Sequence, residues 1–142
     1  MRGKAHTVFP DTNVFVYAAD DSDPRKHRIA LGILEQMLDG GDYLISSQVL
    51  NEFSNVSLKK LKKSDEEVRD FVSLLRTVKT MSVVPEWTSR ALEIKSQYGV
   101  QFYDALLLAA AEAGHCETFL SEDLNDGQVY CGVKVVNPFK TL

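Results

Sequence analysis

Apolar positions along this chain follow two alternating rhythms. Short runs of strand character ("HTVFP", 6–10; "YLIS", 43–46; "MSVVP", 81–85; "ETFLS", 117–121; "KVVNP", 134–138) are separated by stretches whose apolar residues return every three to four positions. "NVFVYAAD" follows the first run as a short helical segment. Asp23 before Pro24 provides an N-cap and a first-turn proline for a helix whose apolar stripe is Ile29, Ala30, Ile33, Leu34, Met37 and Leu38, ended by Gly40-Gly41. From Ser47 a helix carries Val49, Leu50, Phe53 and Val56 on one face and runs out through "LKKLKK". Ser64 and Glu67 form a capping box ahead of Val68, Phe71, Val72, Leu75 and Val78. "EWTSRALEIKSQYG" predicts a helix ended by Gly99, and "YDALLLAAAEAG", apolar nearly all round, predicts one buried on most sides. The alternation predicts an α/β domain with a largely parallel sheet of four to five strands covered on both faces.

Composition narrows this picture. A length of 142 residues predicts one domain, 1–142, with its own hydrophobic core. No apolar run approaches the ~20 residues of a membrane span, and "MRGKAHTVFPDTN" lacks the apolar centre of a signal peptide, so the expected location is the cytoplasm. Cys116 and Cys131 form no CxxC pair, and His6, His27 and His115 are scattered, so no zinc site is expected. The net charge of -4 argues against a protein that coats nucleic acid, though not against one that grips phosphate through metal ions.

The acids then become informative. Pro10 cannot donate to a sheet ladder, so it is tolerable in a central strand only where pairing has ended, which puts Asp11 at the strand's carboxyl tip. Asp123 lies just beyond the fourth strand. In an open parallel sheet both would reach the edge where ligands bind. Glu52 sits about a quarter-turn off the apolar stripe of its helix, by the ~100° helical step, and Asp104 occupies the first turn of the all-apolar helix. Each has an ordinary structural role open to it: an Asx-turn for Asp11, a helix-start charge for Asp104, a rim charge for Glu52, turn formation for Asp123 and Asp126. Four acids at one sheet edge would, however, repel one another without a cation. Oxygen-only ligands suit Mg²⁺ or Mn²⁺, and two such ions ~4 Å apart clamp the attacking and leaving oxygens of a phosphodiester. The chemistry implied is metal-assisted phosphoryl hydrolysis.

Four segments, "VFPDTNVFVYA", "SSQVLNEF", "VQFYDALLLAAAEAG" and "TFLSEDLNDGQ…GVKVVNPF", resemble PIN-domain proteins in order and separation, most closely the VapC toxins of toxin–antitoxin pairs. The resemblance implies a three-layer α/β/α sandwich, a Mg²⁺- or Mn²⁺-dependent ribonuclease, a homodimer and a cognate antitoxin. It assigns the family's four acids to Asp11, Glu52, Asp104 and Asp123. Asp11 and Asp104 are expected to bind metal directly, Asp123 directly or through water, and Glu52 to ligate metal or act on the attacking water. Asn13 and Ser121 match supporting polar positions, and Asp126 matches one that varies. Pro10 departs from the aliphatic residue typical before the first Asp. The basic run of Lys59, Lys60, Lys62 and Lys63 reads either as a solvated helix end or as the edge of an RNA groove. Three other functions remain open: RNA processing without toxicity, an inactive RNA- or protein-binding module, and a phosphotransfer domain on a similar sheet. The last needs a modified Asp paired with a late-strand Lys, and no such pairing is evident.

Overall fold

The computed structural model describes residues 6–140; residues 1–5, part of the N-terminus read above, and 141–142 lie outside them. The elements in order are β1 (Val8–Pro10), α1 (Thr12–Ala19), α2 (Pro24–Leu38), β2 (Ile45–Ser46), α3 (Ser47–Lys59), α4 (Asp65–Leu75), β3 (Thr80–Met81), α5 (Pro85–Tyr98), α6 (Phe102–Ala113), β4 (Thr118–Leu120), β5 (Val129–Tyr130) and β6 (Val133–Val136). The main sheet has the order β1-β4-β6-β5 and is parallel except for β5. The parallel pair β2-β3 joins it beside β1, where Val8 bridges to Tyr43. Phe9 and Pro10 of β1, Leu44 to Ser46, and all of β4 are buried in succession, so both faces of the sheet are covered.

The expected α/β architecture is the one observed, with differences in detail. Pro10 does lie within β1, opposite Leu120. Asp11 donates its backbone N–H to Leu120 O (3.0 Å), so by the alternation of a parallel ladder the Pro10 nitrogen faces the β2 side. There the pairing ends with Leu44 N–H to Val8 O (3.0 Å), one step before a residue-10 donor would be used. The third strand is Thr80–Met81 rather than 81–85, because Val84 is already the N-cap of α5 and Pro85 its first residue. β5 was not expected. It forms a hairpin with β6 through Cys131 (φ 43°) and Gly132 (φ 83°), and two central residues with positive φ define the turn that matches strand twist.

The helix ends follow their sequence signals. Asp23 accepts from Lys26 N–H, the Ser64/Glu67 capping box is formed both ways, and Gly99 (φ 72°) terminates α5. Helix α6 buries every residue from Ala105 to Ala111 and packs chiefly on α5. This anchoring sets the position of Asp104, one residue before the buried run.

Candidate active site

Asp11 leaves β1 and caps α1. Its carboxylate accepts from Asn13 N–H (3.1 Å), which turns the side chain back over the sheet edge, where it is 6% exposed. Burial raises its pKa to about 7; the charges of Asp123 and Asp104 add to the rise, while hydrogen bonds from Ser121 and Asn13 oppose it. An ordinary Asx-turn does not require such burial.

Glu52, one turn into α3, is gripped by two neutral donors. Thr12 Oγ1 donates to Oε1 (2.6 Å) and Gln48 Nε2 to Oε2 (3.2 Å). Gln48 also donates to Tyr103 O (3.0 Å), which ties α3 to the start of α6 beside Asp104. Asp123 follows β4; its backbone N–H donates to Ser121 Oγ (3.1 Å) and its carboxylate accepts from Asn13 Nδ2 (3.0 Å). Asn13 thus holds Asp11 through its backbone and Asp123 through its side chain. Asp104 differs from the other three: among the described residues no group donates a hydrogen bond to its carboxylate. Burial, then the charges of Asp123 and Glu52, raise its pKa.

All four acids line one cleft of about 300 Å³, together with Thr12, Asn13, Asn55, Val56 and Leu107. No lysine or arginine of the described residues lines it. Among the described residues no three of the acids form a finished cage for an ion. The donor set nevertheless fits a hard divalent cation: it is oxygen-only, it is under like-charge strain, and one carboxylate stands without a donor. Mg²⁺ in particular takes few protein carboxylates and completes its shell with water and substrate oxygens.

A family model for the PIN domain matches residues 8–127. The chain belongs to the PIN domain family. Three solved structures resemble it over most of their length. A toxin–antitoxin complex from Klebsiella pneumoniae is 21% identical, with a TM-score of 0.69 over 94% of this chain and 99% of that one. VapC20 of Mycobacterium tuberculosis, a toxin that cleaves the sarcin–ricin loop, is 17% identical, with a TM-score of 0.63 over 82% and 91%. VapBC2 of Rickettsia felis, bound to a DNA fragment of its promoter, is 18% identical, with a TM-score of 0.65 over 91% and 96%. No curated protein matches.

In this PIN domain, Asn13 and Ser121 stand where they hold the acids. Asp126 does not reach the cleft. It accepts from Asn137 N–H (2.8 Å) and Lys140 Nζ (3.1 Å), pinning its loop to the segment after β6, and its pKa is lowered for that reason. Lys59, Lys60, Lys62 and Lys63 lie at and beyond the end of α3; Lys63 lines a separate groove with Phe53, Val68, Phe71 and Leu74, and none of the four lines the acidic cleft. Sequence reading overlooked Thr12, Gln48 and Asn55. The last two fall four before and three after Glu52 on α3, so one helical stripe would have shown them.

Proposed function

We propose that this chain is a divalent-metal-dependent endoribonuclease and the toxin of a VapC-like pair. The observation that carries the reading is a cleft lined, among the described residues, by four carboxylates and no basic side chain, in which Asp104 accepts no hydrogen bond from those residues. Mg²⁺ or Mn²⁺ bound there would supply positive charge to the scissile phosphate and a more acidic water. Asp11 and Asp104 would hold it, with Asp123 assisting directly or through water. Glu52, oriented by Thr12 and Gln48, aligns the attacking water and takes its proton. Asn13 and Ser121 keep the carboxylates in place.

The toxin assignment rests on the family together with the neighbours from toxin–antitoxin complexes. It brings the expectations of a homodimer, of action in the cytoplasm, and of an antitoxin whose Arg or Lys reaches the acids by charge-assisted hydrogen bonds. Among the described residues no helix is long and apolar enough to cross a membrane.

The test is cleavage of single-stranded RNA with millimolar Mg²⁺ or Mn²⁺, repeated with excess EDTA. Cleavage only with the ion is expected. Undiminished cleavage in EDTA would contradict the metal mechanism. No small partner copurifying from the native host would remove the toxin assignment alone.

A further inference from the structure

Beyond Asp104 and Asp123 the acidic cleft opens into a second basin of about 590 Å³, walled by the turn from Tyr98 to Gln101 and by Leu124, Asn125 and Tyr130. The same two carboxylates line both hollows. A polynucleotide with its scissile phosphate at the acids therefore has this basin as one continuation of its path.

The lining decides which part of a nucleotide fits. Among the described residues no lysine or arginine lines the basin, and two carboxylates form its edge, so an unescorted phosphate is repelled. What the basin offers is neutral amides. Gln101 is the N-cap residue of α6, yet its side chain makes no capping bond and no other hydrogen bond among the described residues. Capping favours Ser, Thr, Asp or Asn, so the helix gains nothing from glutamine at this position. Asn125 donates from Nδ2 to Gln128 Oε1 (2.8 Å), and among the described residues its Oδ1 has no donor.

Both amides are mounted on a fixed wall. Tyr98 Oη accepts from Cys131 N–H (2.9 Å), Tyr130 Oη accepts from Asn125 N–H (3.3 Å), and the two rings lie 5.1 Å apart. Side-chain amides carried on such a support offer both donor and acceptor, the combination that reads a base edge. In RNA, sequence-specific contacts go overwhelmingly to unpaired nucleotides, whose Watson–Crick edges are free. We propose that the basin is a nucleoside subsite for single-stranded RNA, in which Gln101 and Asn125 hydrogen-bond the base next to the scissile phosphate. The proposal rests on the ribonuclease reading above and adds a source of sequence preference to it.

The experiment uses the full chain and short single-stranded RNAs that differ only in the nucleotides flanking one cleavable bond. Values of kcat/KM in Mn²⁺ are compared for wild type, Gln101→Ala and Asn125→Ala. The same RNAs, carrying 4-thiouridine at a flanking position, are photo-crosslinked to the protein with Ca²⁺ in place of Mn²⁺. The expected result is a preference at one flank that each variant narrows by about two- to tenfold, the worth of one hydrogen bond, with crosslinks in residues 98–101 or 124–130. Cleavage with the same preference in all three proteins, and crosslinks elsewhere, would overturn the subsite and leave the ribonuclease standing. Crosslinks in the basin that Gln101→Ala removes, without cleavage by wild type, would keep the subsite and end the ribonuclease reading. Neither cleavage nor crosslinking would overturn both.

Discussion

Glu122 and Asp123 are adjacent in the chain but belong to two electrostatic regions. Glu122 turns inward to Lys26 Nζ (2.7 Å) and the Tyr17 hydroxyl (2.5 Å), and Lys26 lies 5.0 Å above the Tyr17 ring centroid. Elsewhere Glu112 receives Arg90 through two nitrogens (2.7 and 2.9 Å), and Asp126 receives Lys140. Asp123, one residue from Glu122, joins Asp11, Glu52 and Asp104 in a cleft where, among the described residues, every donor is neutral: Asn13, Ser121 (to Asp11), Thr12 and Gln48. The pKa values part accordingly. Asp126 is lowered by Asn137 N–H and Lys140, whereas Asp11 and Asp104 are raised, burial first. Among the described residues, cations thus meet acids that tie elements of the fold together, and none lines the cleft. No basic group of the described residues makes up the missing charge.

Three experiments would break or sharpen that contrast. The largest effect belongs to Asp11→Asn, which keeps the shape of the side chain but makes it a poor ligand for a hard cation. RNA cleavage in Mn²⁺ should fall by about a hundredfold or more, since even residues that only orient metal ligands cost about 10- to 100-fold. A variant within a few-fold of wild type in a single-turnover cleavage assay would place Asp11 outside the metal site.

The second concerns pH in EDTA. Between the ordinary carboxyl value of 3.8 and about 7, folded Asp11 keeps a proton that the unfolded chain has released. Its contribution to stability is therefore complete below 3.8 and is lost as pH rises through about 7, with a slope of at most about 1.4 kcal/mol per pH unit. Urea melts of wild type and Asp11→Asn at a series of pH values isolate this one group. The difference between them should shift in the variant's favour as pH rises. A difference that stays flat from pH 4 to 8 would mean that the native carboxyl titrates normally.

The smallest effect is expected on the compensated side. Lys26→Met should lower stability by about 1 kcal/mol, the upper end for pairs that retain some solvent contact. The gain in melting temperature from Mn²⁺ should not change. Loss of that gain would show that the Tyr17–Lys26–Glu122 cluster also governs the cleft.

Much of this was legible in the sequence because it rested on local rules. Caps at Asp23 and Ser64, the stop at Gly99 and the buried run of α6 each follow from a few neighbouring residues. What was not legible depended on competition or on distant partners. Val83 and Val84 have strand propensity and predict a third strand that runs on to 85, but Pro85 gives the segment to α5. The β5–β6 hairpin was hidden because its turn has Cys131 where Asn or Asp is usual. Asp126 reads like its neighbour Asp123, and only Asn137 and Lys140, more than ten residues away, show that it belongs to a different region. Sheet-edge logic and the family pattern point to four acids that share one cleft, whereas the Thr12–Glu52 contact spans 40 positions and becomes visible only once α1 and α3 are packed.

The claim that the cleft's acids are uncompensated is tested most directly by thermal melts of wild type and Asp104→Asn at neutral pH, first in EDTA and then in millimolar Mn²⁺. If Asp104 faces like charges, neutralising it should raise stability in EDTA by about 1 kcal/mol. If it merely complements the start of α6, the same change should lower stability by about 0.3–1 kcal/mol. Wild type should gain from the ion by mass action, about 2.7 kcal/mol at a hundred times the dissociation constant, and the variant should gain little. A variant that melts below wild type in EDTA and gains as much from Mn²⁺ would contradict the account.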